Sequence, residues 1–158
     1  MIDVALRAQL ASLLDWHEAH ATFDQAVKGL SVAARGRRPK GAAHSAWEIV
    51  EHIRLAQFDI LDFCRNPDYA DKTWPDDYWS KTAAPPSATA WARSVAAVRR
   101  DREALKALAG DTDVDLLAPI PHGTGQTILR ELLLVADHTA YHVGELVLLR
   151  RLLGVWKP

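Results

Sequence analysis

The chain has 158 residues, of which 49% are hydrophobic and 25% are charged, and this is the composition of an ordinary globular protein. A chain of this length can bury a sizeable core without disulfides or a structural metal, so we expect a single domain over residues 1–158. The net charge of −1, with no long basic stretch, argues against a nucleic acid as partner.

The first predicted helix covers residues 3–29. Its apolar stripe has members at spacings of three and four, which is the period of a helix with one buried face. These members are Leu6, Leu10, Leu13, His17 and Ala21. Gly29 stands where a glycine that ends a helix belongs. The pattern therefore predicts one long amphipathic helix.

The second predicted helix begins at Ser45 and ends before Asn66 and Pro67. The Ser45 hydroxyl can cap the first amides while the Glu48 side chain reaches back, which is a capping box. A connection over residues 66–86 follows, and it is too aromatic for a flexible tether. Its aromatic residues are Tyr69, Trp74, Tyr78 and Trp79. We expect it to pack on the helices or against a second subunit.

The third helix is predicted from Ser87, a capping residue, to Gly110, and the fourth over residues 126–153. Four such helices make an all-α four-helix bundle. The 66–86 connection is long enough to run back along a helix, which favours an up-down-down-up order with a crossover between helices 2 and 3. A plain up-down-up-down order stays open.

Histidines on two of these helices could share a metal ion. His138 and His142 are four residues apart, so their imidazoles project from one face of the fourth helix, one turn apart. His52 lies beside the inward stripe of the second helix, at a depth compatible with theirs. We expect these three residues to bind one divalent metal. The alternative is that they are ordinary core residues.

Two carboxylates are candidates for catalytic roles. Glu145 follows His138 by seven residues and His142 by three, so it shares their face of the helix. We expect it to lie close to the metal, where it accepts a proton or orients an imidazole. Glu48 is the second candidate proton acceptor, unless it only caps its helix.

Other residues are predicted to contact substrate or to support the ligands. His20, on the first helix, reaches a similar depth and is a candidate fourth ligand, ligand partner or substrate contact. Trp47, beside Glu48, is a candidate substrate contact or ligand partner. The remaining histidines are expected to be structural or to lie at the surface: His17, His44 and His122.

Cysteine usage and hydropathy indicate where the protein works. Cys64 is the only cysteine, and the N-terminal residues carry charges where a secretory signal needs an apolar core. The longest strongly apolar run without charge, residues 132–136, is far shorter than the roughly 20 residues that a membrane span needs. We therefore expect a cytoplasmic protein without a membrane segment.

One histidine early in helix 2, together with an HxxYH motif near the middle of helix 4, is the most specific feature of the chain. With this feature, nearly the whole chain resembles the DinB-like superfamily of metal-dependent enzymes. The resemblance implies an up-down-down-up bundle and a divalent metal, such as zinc or nickel, on His52, His138 and His142. The segments that carry it are residues 44–61, 78–91 and 128–154.

Many members of that superfamily read Arg-Gly-Gln where this chain has Val143, Gly144 and Glu145. This change from an amide to a carboxylate leaves the reaction open. Some relatives transfer small thiols such as bacillithiol or mycothiol onto electrophiles. The resemblance thus implies a metal-dependent enzyme that transfers a low-molecular-weight thiol or hydrolyses a small molecule. The alternatives are a non-catalytic metal- or ligand-binding module and a helical association module.

A homodimer is also expected. The aromatic residues of the 66–86 connection, together with Trp156, present more aromatic surface than a small bundle readily hides. Aromatic side chains are enriched at protein interfaces.

Overall fold

A computed structural model describes residues 4–16 and 18–157 of the chain. Within these ranges the fold is all-α, as predicted, and it contains six helices that pack together and no strand. The helices are α1 (Val4–Leu13), α2 (Phe23–Val27), α3 (Val32–Arg35), α4 (Ala46–Arg65), α5 (Ala90–Gly110) and α6 (Ile128–Leu152). The three long helices correspond to the second, third and fourth predicted helices.

The prediction of one helix over residues 3–29 is wrong. The helix stops at Leu13, and α2 begins after Thr22, whose side chain forms a capping box with Gln25. Asp15 lies between them and binds Lys106 and Arg102 of α5. The apolar stripe continues to Ala21 and so suggests one helix, although the capping box of Thr22 and Gln25 marks the start of a second one. His17 lies outside the described residues.

The ends of α4 and α6 follow from their capping residues. Ser45 and Glu48 form the predicted capping box of α4, and Ser45 is fully buried. Thr127 caps α6 by accepting a hydrogen bond from the backbone of Arg130. The third predicted helix starts later than expected, because Ser87 does not cap it and α5 begins at Ala90. Side-chain caps therefore mark the starts of α4 and α6, whereas α5 starts without one.

Two apolar clusters form the core. One joins α2, α4, α5 and the C-terminal half of α6, and includes Ile53 and Leu146. The other joins α1 to the opposite ends of the long helices, and includes Leu105 and Leu132. Along α6 the stretch 137–142 lies between the members of the two clusters. The two histidines of α6 fall in this stretch.

The long connection before α5 packs on the chain itself, which was one of the two predicted outcomes. The hydroxyls of Tyr69 and Tyr78 both donate to the buried Asp59 of α4, at 3.1 and 2.5 Å. The Trp79 ring lies flat on the His52 ring. The connection is thereby held against the face of α4 that carries His52.

By length and composition alone, α6 is long and apolar enough to cross a membrane. The sequence analysis considered only runs without charge and therefore predicted no membrane segment. A core helix passes the same test, and α6 buries the polar side chains of Glu131, His142 and Arg150. This helix is therefore no indication by itself of a membrane protein.

Candidate metal centre

Three histidines from two helices meet where α4 packs on α6. His52 comes from α4 and His138 and His142 come from α6, and their potential ligand atoms all lie within 4.8 Å of one another. The ring centroids are 4.5 to 4.8 Å apart. His52 and His142 are buried and His138 is half-buried. The structure thus brings together the three residues that the sequence singled out.

Hydrogen bonds fix the orientation of two of these rings. The His52 Nδ1–H donates to the carbonyl oxygen of Tyr78 at 2.8 Å, and the His142 Nδ1–H donates to Glu145 Oε2 at 2.6 Å. In these two rings Nδ1 carries the hydrogen, so Nε2 carries the lone pair that can bind a metal. The Nε2 atoms of His52 and His138 are 3.0 Å apart. Such outer hydrogen bonds commonly set the tautomer of metal-binding histidines.

Burial keeps the three imidazoles neutral. It lowers the pKa of His138 and of His142 to about 4, and the neighbouring histidines add to both shifts. Burial also lowers the pKa of His52, against the hydrogen bond to Tyr78. A neutral imidazole is the form that binds a metal. Three neutral imidazoles whose potential ligand atoms lie within 4.8 Å of one another therefore fit a divalent transition metal.

Glu145 lies next to this cluster and is half-buried. Burial raises the pKa of its carboxyl, although the nearby His44 and His52 act in the opposite direction. Oε2 accepts the hydrogen bond from His142, while Oε1 has no hydrogen-bond partner among the residues that the structure describes. The carboxylate can therefore orient the His142 ring and still accept a proton at Oε1.

Glu48 is engaged at both oxygens. Oε1 pairs with Arg38, and Oε2 accepts hydrogen bonds from Arg38 Nε and from the Ser45 amide, each at 2.8 Å. Burial would raise the pKa of this carboxyl, but the bonds to Arg38 and Ser45 outweigh it and the pKa is lowered. Glu48 is thus an ionised capping group that carries an ion pair.

The hydrogen bonds of the two other candidates go to groups outside the histidine cluster. Trp47 is buried and its indole N–H donates to the Ser80 hydroxyl at 2.9 Å. His20 is exposed, with Nδ1 2.9 Å from the Ala21 carbonyl oxygen, and it lines a largely apolar cavity of about 350 Å³ beside α6. Among the described histidines, cysteines and carboxylates, the group that can hold a metal is His52 with His138 and His142.

Sequence reasoning missed a ring stack made of His44, Trp79 and His52. The Trp79 ring lies 3.9 Å from each imidazole, with interplanar angles of 17° to His44 and 3° to His52. His44 was expected to be structural and Trp79 to pack on the bundle or a partner. No local spacing signals this stack, because the connection brings Trp79 back to α4 from a distant part of the sequence.

Sequence reasoning also missed the buried carboxylate that holds the connection in place. Asp59 accepts hydrogen bonds from Tyr69 and Tyr78, and Lys72 Nζ lies 3.7 Å from it. Burial raises the pKa of Tyr69 to about 12 and raises that of Tyr78 as well, with Asp59 adding to both shifts. Because the carbonyl of Tyr78 accepts the bond from His52, Asp59 fixes the position of that acceptor.

A family model described as the DinB superfamily matches residues 15–146, which include all three clustered histidines and Glu145. Neither the curated proteins nor the solved structures that were searched contain a match to this chain.

Proposed function

The chain belongs to the DinB superfamily, and from that premise we propose that it is an enzyme of small-molecule chemistry with a divalent metal on His52, His138 and His142. The family and the three-histidine cluster are compatible with a metal-dependent enzyme. One observation carries the proposal: two of these rings have Nδ1 held by a hydrogen bond, which leaves their Nε2 atoms for a metal.

Zinc or nickel is the metal that we propose, since imidazole nitrogen suits both ions. Three protein ligands leave a coordination position open, as in catalytic sites. When bound, such an ion lowers the pKa of a thiol or of water and makes it a better nucleophile near neutral pH. The fold does not depend on the ion for its core, because two apolar clusters hold the helices together.

Glu145 is the proposed proton acceptor. Its carboxylate holds the His142 ring through Oε2, and Oε1 is left to take the proton of the substrate. Burial raises the pKa of this carboxyl, and a carboxylate with a raised pKa takes a proton more readily. The engagement of Glu48 with Arg38 and Ser45 supports a capping role for that residue instead.

The proposed reaction is transfer of a low-molecular-weight thiol to an electrophile, with hydrolysis as the second possibility. Both reactions need a nucleophile that loses a proton. The three histidines would hold the metal that acidifies this nucleophile, and Glu145 would accept the proton. A reducing compartment such as the cytoplasm would suit thiol chemistry.

We also infer the up-down-down-up order of the bundle. Between α4 and α5, contacts advance together along both helices: Glu51 meets Ser94 and Gln57 meets Val98. This supports a parallel pair. The contacts between α1 and α5 run in opposite directions along the two helices. Arg7 of α1 contacts Ala109 of α5, whereas Asp15, which follows α1, contacts Lys106, an earlier residue of α5.

Elemental analysis of protein purified without a histidine tag or chelator is the first test. We expect about one zinc or nickel ion per chain in the parent and none in His142→Ala. His122→Ala is the matched control, because His122 is an exposed histidine that contacts the Phe63 carbonyl. Equal metal content in His142→Ala and the parent would exclude the proposed ligands.

Turnover is the second test. The metal-loaded protein is assayed with 1-chloro-2,4-dinitrobenzene and cysteine for thiol transfer, and with 4-nitrophenyl acetate for hydrolysis. We expect a rate above the spontaneous reaction that disappears in His142→Ala and persists in His122→Ala. Full metal content without turnover of any substrate tried would favour the non-catalytic binding module.

A further inference from the structure

Two exposed aromatic side chains flank the histidine cluster. Trp74 is 66% exposed, and its ring centroid lies 6.1 Å from that of His52. Tyr141 is 67% exposed, and its ring centroid lies 5.0 Å from that of His142. They are the two most exposed aromatic side chains among the described residues. Apolar area left in water is area that a bound ligand can cover with a gain in free energy.

Trp79 is also close to the cluster, but its ring is already covered. One face lies against His44 and the other against His52, both at 3.9 Å. A ligand at the cluster therefore meets Trp74 and Tyr141 rather than the faces of Trp79. The internal aromatic contact holds a ligating ring, and the exposed aromatic rings are left for substrate.

The charges around the cluster do not favour an anionic substrate. The groups that act electrostatically on the three imidazoles, apart from each other, are His44, Glu145 and Asp137. Within the described ranges no lysine or arginine is among them. The described lysines and arginines therefore offer no pairing group for an anionic substituent here, and the exposed rings of Trp74 and Tyr141 are apolar surface left for a substrate.

We propose that this site is selective for substrates that carry a planar aromatic or conjugated group, which Trp74 and Tyr141 contact while the reacting end of the substrate is at the metal. The inference rests on the proposed function, because it needs a metal on the three histidines. It adds the class of the substrate. Offset or edge-to-face contacts between aromatic rings are favourable beyond the area that they bury.

Two small metal-binding probes separate ring contact from metal contact. Acetohydroxamate and benzohydroxamate offer the same oxygen pair and differ in having a methyl or a phenyl group. The cobalt(II)-loaded chain is titrated with each probe, and the visible absorption of cobalt reports binding. The dissociation constant of acetohydroxamate divided by that of benzohydroxamate gives a preference ratio for the parent and for each variant. The intrinsic difference between the two probes is the same in every protein, so it cancels when the ratios of parent and variant are compared.

We expect the ratio in the parent to favour benzohydroxamate by about threefold to tenfold more than in Trp74→Ala or Tyr141→Ala. Trp74→Phe and Tyr141→Phe should keep most of the preference, because each retains a ring. Phe58→Ala is the matched control: Phe58 is an exposed aromatic residue of α4 and should leave the ratio unchanged.

The possible failures are distinct. If the parent does not bind cobalt, or His142→Ala binds it equally well, the proposed metal site fails and the inference fails with it. If the parent binds cobalt but both alanine variants keep the parental ratio, the metal site stands and the aromatic selectivity is wrong. Loss of the ratio in Phe58→Ala as well would also overturn the assignment to Trp74 and Tyr141.

Discussion

At the scale of single residues, the two carboxylates predicted for catalysis are held very differently. Glu48 has both oxygens engaged by Arg38 and Ser45, and its pKa is lowered. Glu145 has one oxygen on His142 and one without a hydrogen bond among the described residues, and burial raises its pKa. The same type of side chain thus has a lowered pKa at Glu48, which suits an ionised cap, and a raised pKa at Glu145, which suits a proton acceptor.

Replacing Glu145 with Gln separates its two possible roles. A glutamine oxygen accepts the bond from His142 more weakly than a carboxylate oxygen does, and it cannot take a proton. If Glu145 is the base, we expect a fall in kcat of about 10²-fold or more with a small change in metal affinity. If it only orients the ring, metal affinity should fall by about 10-fold or more. Rates and affinities both equal to those of the parent would contradict either role.

Replacing Glu48 with Gln should change how stability depends on pH. The folded-state pKa of Glu48 lies below its usual value of 4.5, so its contribution is present above about pH 4.5 and is lost as pH falls through the folded value. We expect Glu48→Gln to lose no more than about 1 kcal/mol of unfolding free energy at neutral pH, because Arg38 is half-exposed.

The difference between the parent and Glu48→Gln should shrink as pH falls below about 4.5. Urea unfolding at several pH values measures it. A difference that stays constant down to about pH 3 would show that ionisation of Glu48 does not contribute to stability.

At the scale of elements, the connection between α4 and α5 is as important to the site as the helices. Tyr78 uses its hydroxyl to bind Asp59 and its carbonyl to hold His52. The Trp79 ring then covers the His52 ring. One segment of irregular backbone thereby sets the orientation of a ligand that a helix supplies.

Removing the Tyr78 hydroxyl should loosen this segment. We expect Tyr78→Phe to cost about 1 to 3 kcal/mol of unfolding free energy, because Asp59 is buried and loses a donor. Limited proteolysis should cut residues 66–86 faster, and the imidazole resonances of His52 should show a mixture of tautomers. Tyr141→Phe is the control, and its cleavage rate should equal that of the parent.

The sequence could predict α4, α5, α6 and the three clustered histidines, because apolar period, capping residues and the spacing of four are local signals. It could not predict the ring stack or the role of Asp59, because these depend on how a long connection folds back. The break after Leu13 was missed although Thr22 and Gln25 signal it. An apolar stripe alone does not distinguish one long helix from two short ones.

At the scale of the whole molecule, two apolar clusters flank the stretch of α6 that carries the histidines. Each cluster joins several helices without help from the site. The metal proposed for the site would therefore add stability to a chain that is already folded.

Removal of the metal should leave the helices intact. We expect the far-ultraviolet circular dichroism of the chelated protein to match that of the loaded protein, while the Tm falls by several degrees. The stabilisation by a ligand at a thousand times its Kd is about 4 kcal/mol. The Tm of His142→Ala should be indifferent to added metal. Loss of the helical signal on chelation would show that the ion is structural.

The homodimer stays a prediction, although several of the aromatic residues that suggested it are covered by the chain itself. Tyr69, Tyr78 and Trp79 pack on the chain itself, and Arg150 lies 5.0 Å from the Trp156 ring. Less aromatic surface is therefore left for a partner than the sequence suggested. Light scattering at micromolar concentration measures the mass, and a monomer would contradict the prediction.

The position of Trp79 between two imidazoles gives the protein an optical probe of its own. An ion on His52 withdraws electron density from a ring that lies 3.9 Å from the indole and almost parallel to it. The fluorescence of Trp79 should therefore change when the ion binds, before any substrate is present. The chain has six tryptophans, so the difference between the spectra of the parent and of Trp79→Phe isolates this signal and follows the loading of the site in real time.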